Sequence, residues 1–416
     1  MTTPLVARTR RADRDRDLLE AAGPGGLLFA TGRVGLAGSG VALRVPRGEV
    51  AGALAAIEVD DEVGLPGCGP VAFGALPFRP DDGSELIVPS RVHGRAGDGT
   101  SWLTTVEPAS PSRPGSSPDG SPPSGSPEPP EMSPEMSAQS TPQPSRFSVE
   151  PTRTPAEWCE LVVRATKAMA SGPLRKVVLA REVVVTADVA HDPATLIARL
   201  RAGYPGCFVF SVDGFVGASP ELLLSRHGDM VRSHPMAGTA PRGGDPTTDA
   251  RLAAGLLSSL KDRQEHQLTI DMVHDTLLPW CSYLDYEAEP SVVPVANVQH
   301  LATMVEGRLS DPAPSVLELV AALHPTPAVC GTPQDEALAF IADQEGFDRR
   351  RYTGTVGWVD GRGNGAWAVS VRCAELDGPV ARVYAGNGIV ADSEPEIELA
   401  ETRAKLQAVL SVIIRP

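Results

Sequence analysis

One segment of the chain cannot contribute to a folded core, and it divides the 416 residues into two unequal parts. Residues 108–145 contain 12 of the 40 prolines and many serines, but no aromatic residue and no Val, Ile or Leu. This composition buries too little apolar surface to offset the entropy of ordering the chain, so we predict a disordered linker or insert. A core must then come from residues 1–107 and 146–416, which are long enough to build a large one.

Composition excludes several classes of protein. No apolar run reaches the ~18–20 residues needed to span a bilayer, and the charged N-terminus lacks the apolar region of a secretory signal. The net charge of −15 argues against a non-specific nucleic-acid binder, which needs a basic face. It does not exclude an anionic substrate, because local cations or a metal can reverse the local field. We therefore expect a cytoplasmic protein with neither a membrane nor a nucleic acid as partner.

The long second part alternates strand and helix signals. A run of β-branched residues at 173–185 predicts a strand, and FVFSVDGFVGASPE predicts a hairpin that turns at Asp213–Gly214. Leucines at helical spacing predict a helix within residues 250–281, and residues 395–413 predict a C-terminal helix. Residues 25–106 contain shorter strand patterns separated by glycines.

Each predicted helix carries two acids three residues apart. Asp262 and Glu265 lie in KDRQEH, and Glu398 and Glu401 lie in EIELAET. The i,i+3 spacing puts both acids of a pair on one helical face. If the two faces meet, the carboxylates converge, which favours a hard cation such as Mg²⁺ or Ca²⁺. The alternative, which spacing alone favours, is two solvated acidic faces.

Four further charged residues have two interpretations each. Lys176 enters an apolar strand, where it can protect a sheet edge or, if it loses its proton, act as a general base. Glu221 follows a strand and a turn, where it can cap a helix or, in a dry pocket, act as a general acid. Arg372 and Lys405 can face a carboxylate or lie on the surface.

Two stretches of small residues predict loops, HPMAGTAPRG at 234–243 and AGNGI at 385–389. Their glycines let backbone N–H groups approach an anionic ligand closely. The second stretch is not a dinucleotide fingerprint, because it lacks the third glycine and the acid that should follow.

Taken in order, these blocks resemble the chorismate-utilising enzymes, the family of isochorismate, salicylate, anthranilate and aminodeoxychorismate synthases. The matching motifs run almost without a gap from about residue 147 to 416. They are KVVLAREV, FVGASPELLL, HPMAGTAPRG, KDRQEH, QHLATMVEG, LHPTPAVCGTP, GFDRRRYTGTVGWVDGRGNGAWAVSVRCA, YAGNGIV and SEPEIELAET. CGPVAFGALPF also looks like the more variable first part of the family, whereas residues 108–145 match nothing in it.

The resemblance implies an α+β fold of the anthranilate synthase component I type. Two antiparallel β layers would face each other, with helices outside and the active site in a central cleft. Residues 1–107 would form the variable N-terminal part of this fold, residues 108–145 the insert, and residues 146–416 the chorismate-binding catalytic region.

Within the family, the KDRxEH form and Lys176 indicate an isochorismate synthase. The resemblance implies that Lys176 deprotonates the water that attacks C2 of chorismate and that Glu221 protonates the departing C4 hydroxyl. Members that use ammonia lack this lysine, because ammonia is its own nucleophile. The implied cofactor is Mg²⁺, with Glu265 and Glu401 as ligands and with Asp262 and Glu398 acting through waters.

The other implied site residues bind the substrate, chorismate. Arg372, Tyr352 and the amides of Gly386 and Gly388 match positions that hold the pyruvyl carboxylate. Gly238 and Thr239 match the loop over the ring carboxylate, His300 lies on the C4 side, and Lys405 lies beside the metal.

Two residues depart from the usual family pattern. Asn387 replaces a small alanine, and its side chain can contact the substrate or point away from it. Asp262 replaces a glutamate, and the shorter acid suggests contact with the metal through water.

Three alternatives to an isochorismate synthase stay open. A salicylate synthase would go on to eliminate pyruvate from isochorismate. An anthranilate or aminodeoxychorismate synthase component would need a glutaminase partner, which we do not expect here. A non-catalytic member would bind chorismate or a protein through the Pro-rich insert.

Overall fold

The structure is a computed structural model that describes residues 4–79, 83–109 and 143–414. The predicted linker at 108–145 lies almost wholly outside these ranges. Within them, no helix is both long and apolar enough to cross a membrane.

Short strands dominate the part of the chain before the linker. They are β1 (Leu5–Arg11), β2 (Leu27–Thr31), β3 (Val34–Ser39), β4 (Leu43–Pro46), β5 (Glu58–Asp61), β6 (Val71–Leu76), β7 (Glu85–Val88), β8 (Arg91–Arg95) and β9 (Ser101–Pro108). The later strands are β10 (Phe147–Pro151), β11 (Lys176–Ala187), β12 (Phe208–Val212), β13 (Phe215–Ser219), β14 (Leu222–His227), β15 (Met230–His234), β16 (Met236–Pro241), β17 (Cys281–Tyr286), β18 (Ser291–Val295), β19 (Val298–Ala302), β20 (Val305–Leu309), β21 (Gly331–Thr332), β22 (Thr355–Asp360), β23 (Gly365–Val369), β24 (Cys373–Asp377) and β25 (Val380–Ile389).

Most of the helices follow the linker, and several begin with a side-chain cap. They are α1 (Leu18–Ala22), α2 (Val50–Ala55), α3 (Pro155–Ser171), α4 (Pro193–Gly203), α5 (Pro246–Ser258), α6 (Leu260–Leu277), α7 (Val316–Leu323), α8 (Gln334–Gln344) and α9 (Pro395–Ile414). Thr154 and Ser315 each form a capping box with a glutamate three residues later, which satisfies backbone N–H groups at the starts of α3 and α7.

The described strands form two large sheets and a small one. The thirteen-stranded sheet has the order β10-β11-β25-β24-β13-β12-β2-β3-β8-β9-β1-β5, with β21 paired to β11. The nine-stranded sheet has the order β17-β20-β15-β14-β23-β22-β6-β7-β4, and β16, β19 and β18 form the small sheet. Pairing is antiparallel throughout the described chain except between β1 and β5.

The two large sheets face each other across an aromatic core. Phe73 and Trp358 of the nine-stranded sheet share a buried cluster with Phe210 and Tyr384 of the thirteen-stranded sheet. The outer face of the thirteen-stranded sheet packs on α4 and α9. The outer face of the nine-stranded sheet packs on α6 and α7. The predicted α+β fold, with two facing β layers and helices outside, is confirmed.

Residues before the linker belong to both large sheets. Strand β2 pairs with β12, and β6 pairs with β22, so the first part of the chain completes sheets that the second part begins. The predicted division at 107 and 146 is therefore one of sequence and not of separate cores, and its boundaries stay a prediction.

The local predictions hold in part. The strand predicted at 173–185 is present as β11, although it begins at Lys176 and ends at Ala187. The hairpin is also present, and Asp213 and Gly214 both have positive φ, as a tight hairpin turn requires. The helix within 250–281 is broken into α5 and α6 because Ser259 leaves helical geometry and its side chain accepts a hydrogen bond from Asp262 N–H.

The two predicted small-residue loops are largely strand. Residues 385–389 continue β25, because Gly386 and Gly388 pair with Ala180 and Val178 of β11. Residues 236–241 form β16, where the pairing register shifts between Ala237 and Thr239. Neither prediction allowed for a partner strand distant in the sequence.

Burial at the interface between the two large sheets predicts how a core substitution changes the free energy of unfolding. Phe73 is fully buried there, so Phe73→Ala should lower the free energy of unfolding by about 3–5 kcal/mol through lost burial and a residual cavity. Tyr283→Ala, at a position that is 62% exposed, is the control and should change it by less than about 0.5 kcal/mol. Urea denaturation measures both, and equal effects would contradict the placement of the core.

Candidate active site

One cavity brings together every site residue that the sequence suggested. Its walls come from β11, β16, β19, β25, α6, α9 and the connections between strands. The suggested residues that line it are Lys176, Glu221, Gly238, Thr239, Asp262, Glu265, His300, Tyr352, Arg372, Gly386, Gly388, Glu398, Glu401 and Lys405. Residues far apart in the sequence therefore share one surface.

The two acidic helices face the cavity from neighbouring positions. Asp262 and Glu265 project from α6, and Glu398 and Glu401 project from α9. The first of the two interpretations of these acids, convergence on one site, is the one that the structure shows. The alternative of separate solvated faces does not describe this arrangement.

Two of these carboxylates are paired with lysines. Lys176 Nζ lies 2.7 Å from Glu265 Oε1, and Lys405 Nζ lies 2.7 Å from Glu401 Oε1. Burial by itself would raise the pKa of Glu265, but attraction and a hydrogen bond from Lys176, with Lys405 and Lys261 nearby, outweigh it and lower the pKa. Glu265 is therefore ionised near neutral pH.

The other acid of α9 has a different environment. Burial raises the pKa of Glu398, and the charge of Glu401 raises it further, while hydrogen bonds from Ser393 and Asn387 oppose the shift. Two carboxylates on one helical face thus repel each other, which is an arrangement that a bound cation would stabilise.

The carboxylates fit a magnesium ion in chemical type. All four offer oxygen, the ligand that Mg²⁺ prefers. Among the described residues, no group of three or more His, Cys, Asp or Glu side chains is already arranged to hold a metal. A cation that binds Glu265 through Oε1 would have to replace its contact with Lys176.

Glu221 has the environment that a general acid needs. It lies between β13 and β14, is 6% exposed, and its Oε1 has no hydrogen-bond partner in the described chain. Burial raises its pKa to about 7, although a hydrogen bond from Met236 and the charges of Arg372 and Lys176 oppose the shift. At neutral pH a large share of Glu221 therefore carries a proton.

His300 is held as a neutral ring. Arg372 donates to His300 Nε2 over 2.9 Å, so Nε2 accepts and Nδ1 carries the proton. Nδ1 faces Gly238 O at 3.2 Å and Thr239 Oγ1 at 3.1 Å. Burial, with the charges of Arg372 and Lys405, keeps the pKa of His300 well below its usual value. The hydrogen bond with His300 thus orients the Arg372 side chain. The backbone of Arg372 is in the left-handed region, with a φ of 48°.

Two glycines of β25 leave room that any side chain would fill. A Cβ at Gly386 would lie 3.0 Å from Tyr352 Oη and 2.8 Å from Leu179 O. A Cβ at Gly388 would lie 2.8 Å from Lys176 Cε. These glycines are required by close approach and not by an unusual backbone conformation, which corrects their interpretation as loop residues.

Sequence reasoning missed Lys261, which also lines the cavity and forms a 3.2 Å ion pair with Asp392. A signal was available, because the chain has only four lysines among its 37 basic residues. Three of them, Lys176, Lys261 and Lys405, line this cavity.

A buried ion pair behind the cavity wall was also missed. Arg349 binds both oxygens of Glu345 at 2.6 Å and donates to the carbonyls of Val178 and Val329. Glu345 in turn accepts from Ala180 N–H at 2.6 Å. The i,i+4 spacing of the two residues was the available signal. The ion pair connects β11 to the segment before β21. Val178 of β11 and Val329 of that segment both line the cavity.

Of the two expectations for Asn387, the structure shows a side chain that points away from the cavity. Its side chain is not part of the cavity lining, and it is not exposed to solvent. It lies on the other face of β25 and contacts α9.

Comparisons with known proteins match the chain to one family. Residues 129–414 match the family described as chorismate binding enzyme. The chain is 42% identical over 275 residues to the isochorismate synthase DhbC of Bacillus subtilis, covering 64% of this chain and 69% of that protein. It is 36% identical over 348 residues to the isochorismate synthase EntC of Escherichia coli K12, covering 82% of this chain and 81% of that protein.

A solved structure has the same fold. The menaquinone-specific isochorismate synthase of Escherichia coli superposes with a TM-score of 0.80 at 23% identity, covering all of this chain and 95% of that one. The match of a family over most of the chain, together with this cavity, leads to one conclusion. The chain belongs to the chorismate-binding enzyme family.

Proposed function

We propose that the protein is an isochorismate synthase that converts chorismate to isochorismate. The observation that carries the proposal is the shared cavity in which a buried lysine, a buried glutamate and two acidic helices meet. The similarity to proteins named isochorismate synthase supports it.

The reaction needs a base and an acid. Water forms a bond to C2 of chorismate, the ring double bonds shift, and the C4–oxygen bond breaks. One proton leaves the attacking water and one joins the departing hydroxyl, so one water is taken up and one is released. The product is therefore an isomer of the substrate.

Lys176 is the proposed base, and Glu221 is the proposed acid. Lys176 is 4% exposed at the start of β11, where it faces the cavity. Its ammonium is held by Glu265, so it must leave this contact and lose its proton before it can accept one from water. Glu221 holds a proton near neutral pH because burial disfavours its charge, and it can give this proton to the C4 oxygen.

The remaining polar groups suit the two carboxylates of the substrate. Arg372, oriented by His300, would bind the pyruvyl carboxylate together with Tyr352 and the amides of Gly386 and Gly388. Gly238 and Thr239 of β16 would face the ring carboxylate.

The acidic helices would hold Mg²⁺. Glu265 and Glu401 are the proposed ligands, with Asp262 and Glu398 acting through water and Lys405 beside them. A bound Mg²⁺ supplies positive charge that fixes the ring carboxylate and stabilises charge built up during the displacement. The oxygen donor set and the repulsion between the acids of α9 support this assignment.

Chorismate is the only partner that this reaction requires. A glutaminase is needed only when ammonia is the nucleophile, and the proposed base serves water instead. A cytoplasmic location also stays a prediction.

Product analysis tests the proposed function directly. The full chain incubated with chorismate and Mg²⁺ should form isochorismate without pyruvate, and omission of the metal should abolish the product. Chromatography resolves the products. Salicylate with pyruvate would identify a salicylate synthase, and a product that appears only with ammonia would contradict the role of Lys176.

Replacement of the proposed base makes a sharper test. Lys176→Ala should lower kcat by at least about 100-fold, since general base catalysis contributes roughly 10²–10⁴-fold. Lys167→Ala removes the one lysine outside the cavity, in the exposed part of α3, and should leave kcat unchanged. Turnover of the Lys176 variant within a few-fold of the control would exclude the base assignment.

The proposed acid predicts opposite effects on activity and stability. Because Glu221 must be protonated and burial sets its pKa to about 7, kcat should fall as the pH rises above about 7. Glu221→Gln should abolish turnover. It should also stabilise the metal-free protein at pH 8, because the unfolded carboxyl ionises near 4.5 and the buried one resists ionisation until about 7.

The sign and size of the stability effect follow from linkage. The folded wild type binds the proton more tightly, so its stability decreases between pH 4.5 and 7 by on the order of 3 kcal/mol. Thermal unfolding of both proteins should therefore agree at about pH 4 or below and diverge at pH 8, with the variant more stable. A variant that is less stable at pH 8 would show that Glu221 is not a buried acid with a raised pKa.

A further inference from the structure

Asn387 lies beneath the cavity, in the middle of the Gly-Asn-Gly stretch of β25. Its neighbours Gly386 and Gly388 line the cavity, and alternation along the strand turns Asn387 to the opposite face. It is 2% exposed and points toward α9, which carries Glu398, Glu401 and Lys405. The side chain therefore lies between the strand and the helix that together form one wall of the site.

The side-chain amide of Asn387 forms hydrogen bonds with residues of α9 through both its nitrogen and its oxygen. Nδ2 donates to Glu398 O at 2.9 Å and to Glu398 Oε2 at 3.0 Å. Oδ1 accepts from Lys405 Nζ at 3.0 Å. Since the amide group has two N–H donors, both are used on one glutamate.

Lys405 extends this arrangement to the second acid of the helix. The same Nζ donates to Gly386 O at 3.0 Å and forms a 2.7 Å ion pair with Glu401. Glu398 is thus held directly, and Glu401 is held through the lysine. Without these contacts, two carboxylates three residues apart on one helix would repel each other and spread.

We propose that Asn387 is a positioning residue that holds Glu398 and, through Lys405, Glu401 in the geometry that binds the metal. The inference rests on the proposed function, because it assumes that these acids hold a divalent cation. Asn387 itself touches neither the cavity nor the substrate, so it acts only through the two side chains that it contacts.

The test is the affinity of the full chain for Mn²⁺, which replaces Mg²⁺ and has an electron paramagnetic resonance signal when free in water. Titrations with and without chorismate compare the wild type, Asn387→Ala and Asn297→Ala. Asn297 is the matched control, because its amide also donates to a backbone carbonyl of α9, that of Ala404, but meets none of the acids. We expect Asn387→Ala to bind Mn²⁺ about tenfold more weakly and the control to bind it as the wild type does.

A merely structural role would give a different pattern. If Asn387 acts through Glu398, its effect on Mn²⁺ affinity should shrink by at least half in a Glu398→Gln background, as a double-mutant cycle measures. Loss of packing alone would give the same fold-change in both backgrounds. Asn387→Ser, which keeps a polar group under the strand, is the second variant if the alanine variant is poorly folded, and it should shift the affinity in the same direction.

The outcomes separate this inference from the proposed function. Equal Mn²⁺ affinity of the wild type and Asn387→Ala would overturn the positioning role while leaving the metal site intact. An equal effect in the wild-type and Glu398→Gln backgrounds would also overturn it. A wild type that binds no Mn²⁺, with or without chorismate, would overturn the assignment of the metal ligands as well.

Discussion

The site depends on the antiparallel pairing of β11 with β25. These strands lie about two hundred residues apart in the sequence, and their register runs from Val177 opposite Ile389 to Thr186 opposite Val380. The pairing places Lys176 beside Gly388. It also fixes the position of the end of β25, from which the chain continues into α9. Since successive residues of a strand face opposite sides, a slip by one residue would turn Lys176 away from the cavity. The backbone hydrogen bonds of this pair therefore decide which side chains can meet.

The charges of the cavity balance each other before any ligand binds. Lys176 and Lys405 each hold one carboxylate of an acidic helix, and Lys261 lies at the same wall. A buried charge without a partner costs several kcal/mol, so these pairs let the protein keep five acids in one cleft. The contact between Lys176 and Glu265 also links the proposed base to the proposed metal ligand. A cation that takes Glu265 would release the lysine, so one contact serves both parts of the site.

Support for the site comes from residues that hold its side chains and strands in place. Arg349 and Glu345 form a fully buried ion pair that ties the backbone of β11 to the segment containing Val329. Asn387 ties β25 to α9 from the opposite side. His300 holds Arg372. Each restricts a side chain or strand that lines the cavity, and such restriction is what precise placement of a ligand requires.

Local sequence determined the elements whose signals are local. The turn at Asp213–Gly214, the strand at 173–185 and the acid pairs of α6 and α9 follow from residue type and spacing, because short-range hydrogen bonding and periodicity depend only on neighbours in the chain. The identity of the cavity residues was also available in the ordered motifs.

Only the tertiary structure decided which of the paired interpretations held. Whether Lys176 protects an edge or faces a cleft, and whether Glu221 caps a helix or is buried, depends on desolvation by residues distant in the sequence. The same is true of the Gly-Asn-Gly stretch, which reads as a loop until β11 pairs with it and α9 covers Asn387. Spacing places side chains on a face, whereas burial and partners, which come from the rest of the fold, decide their charge and their contacts.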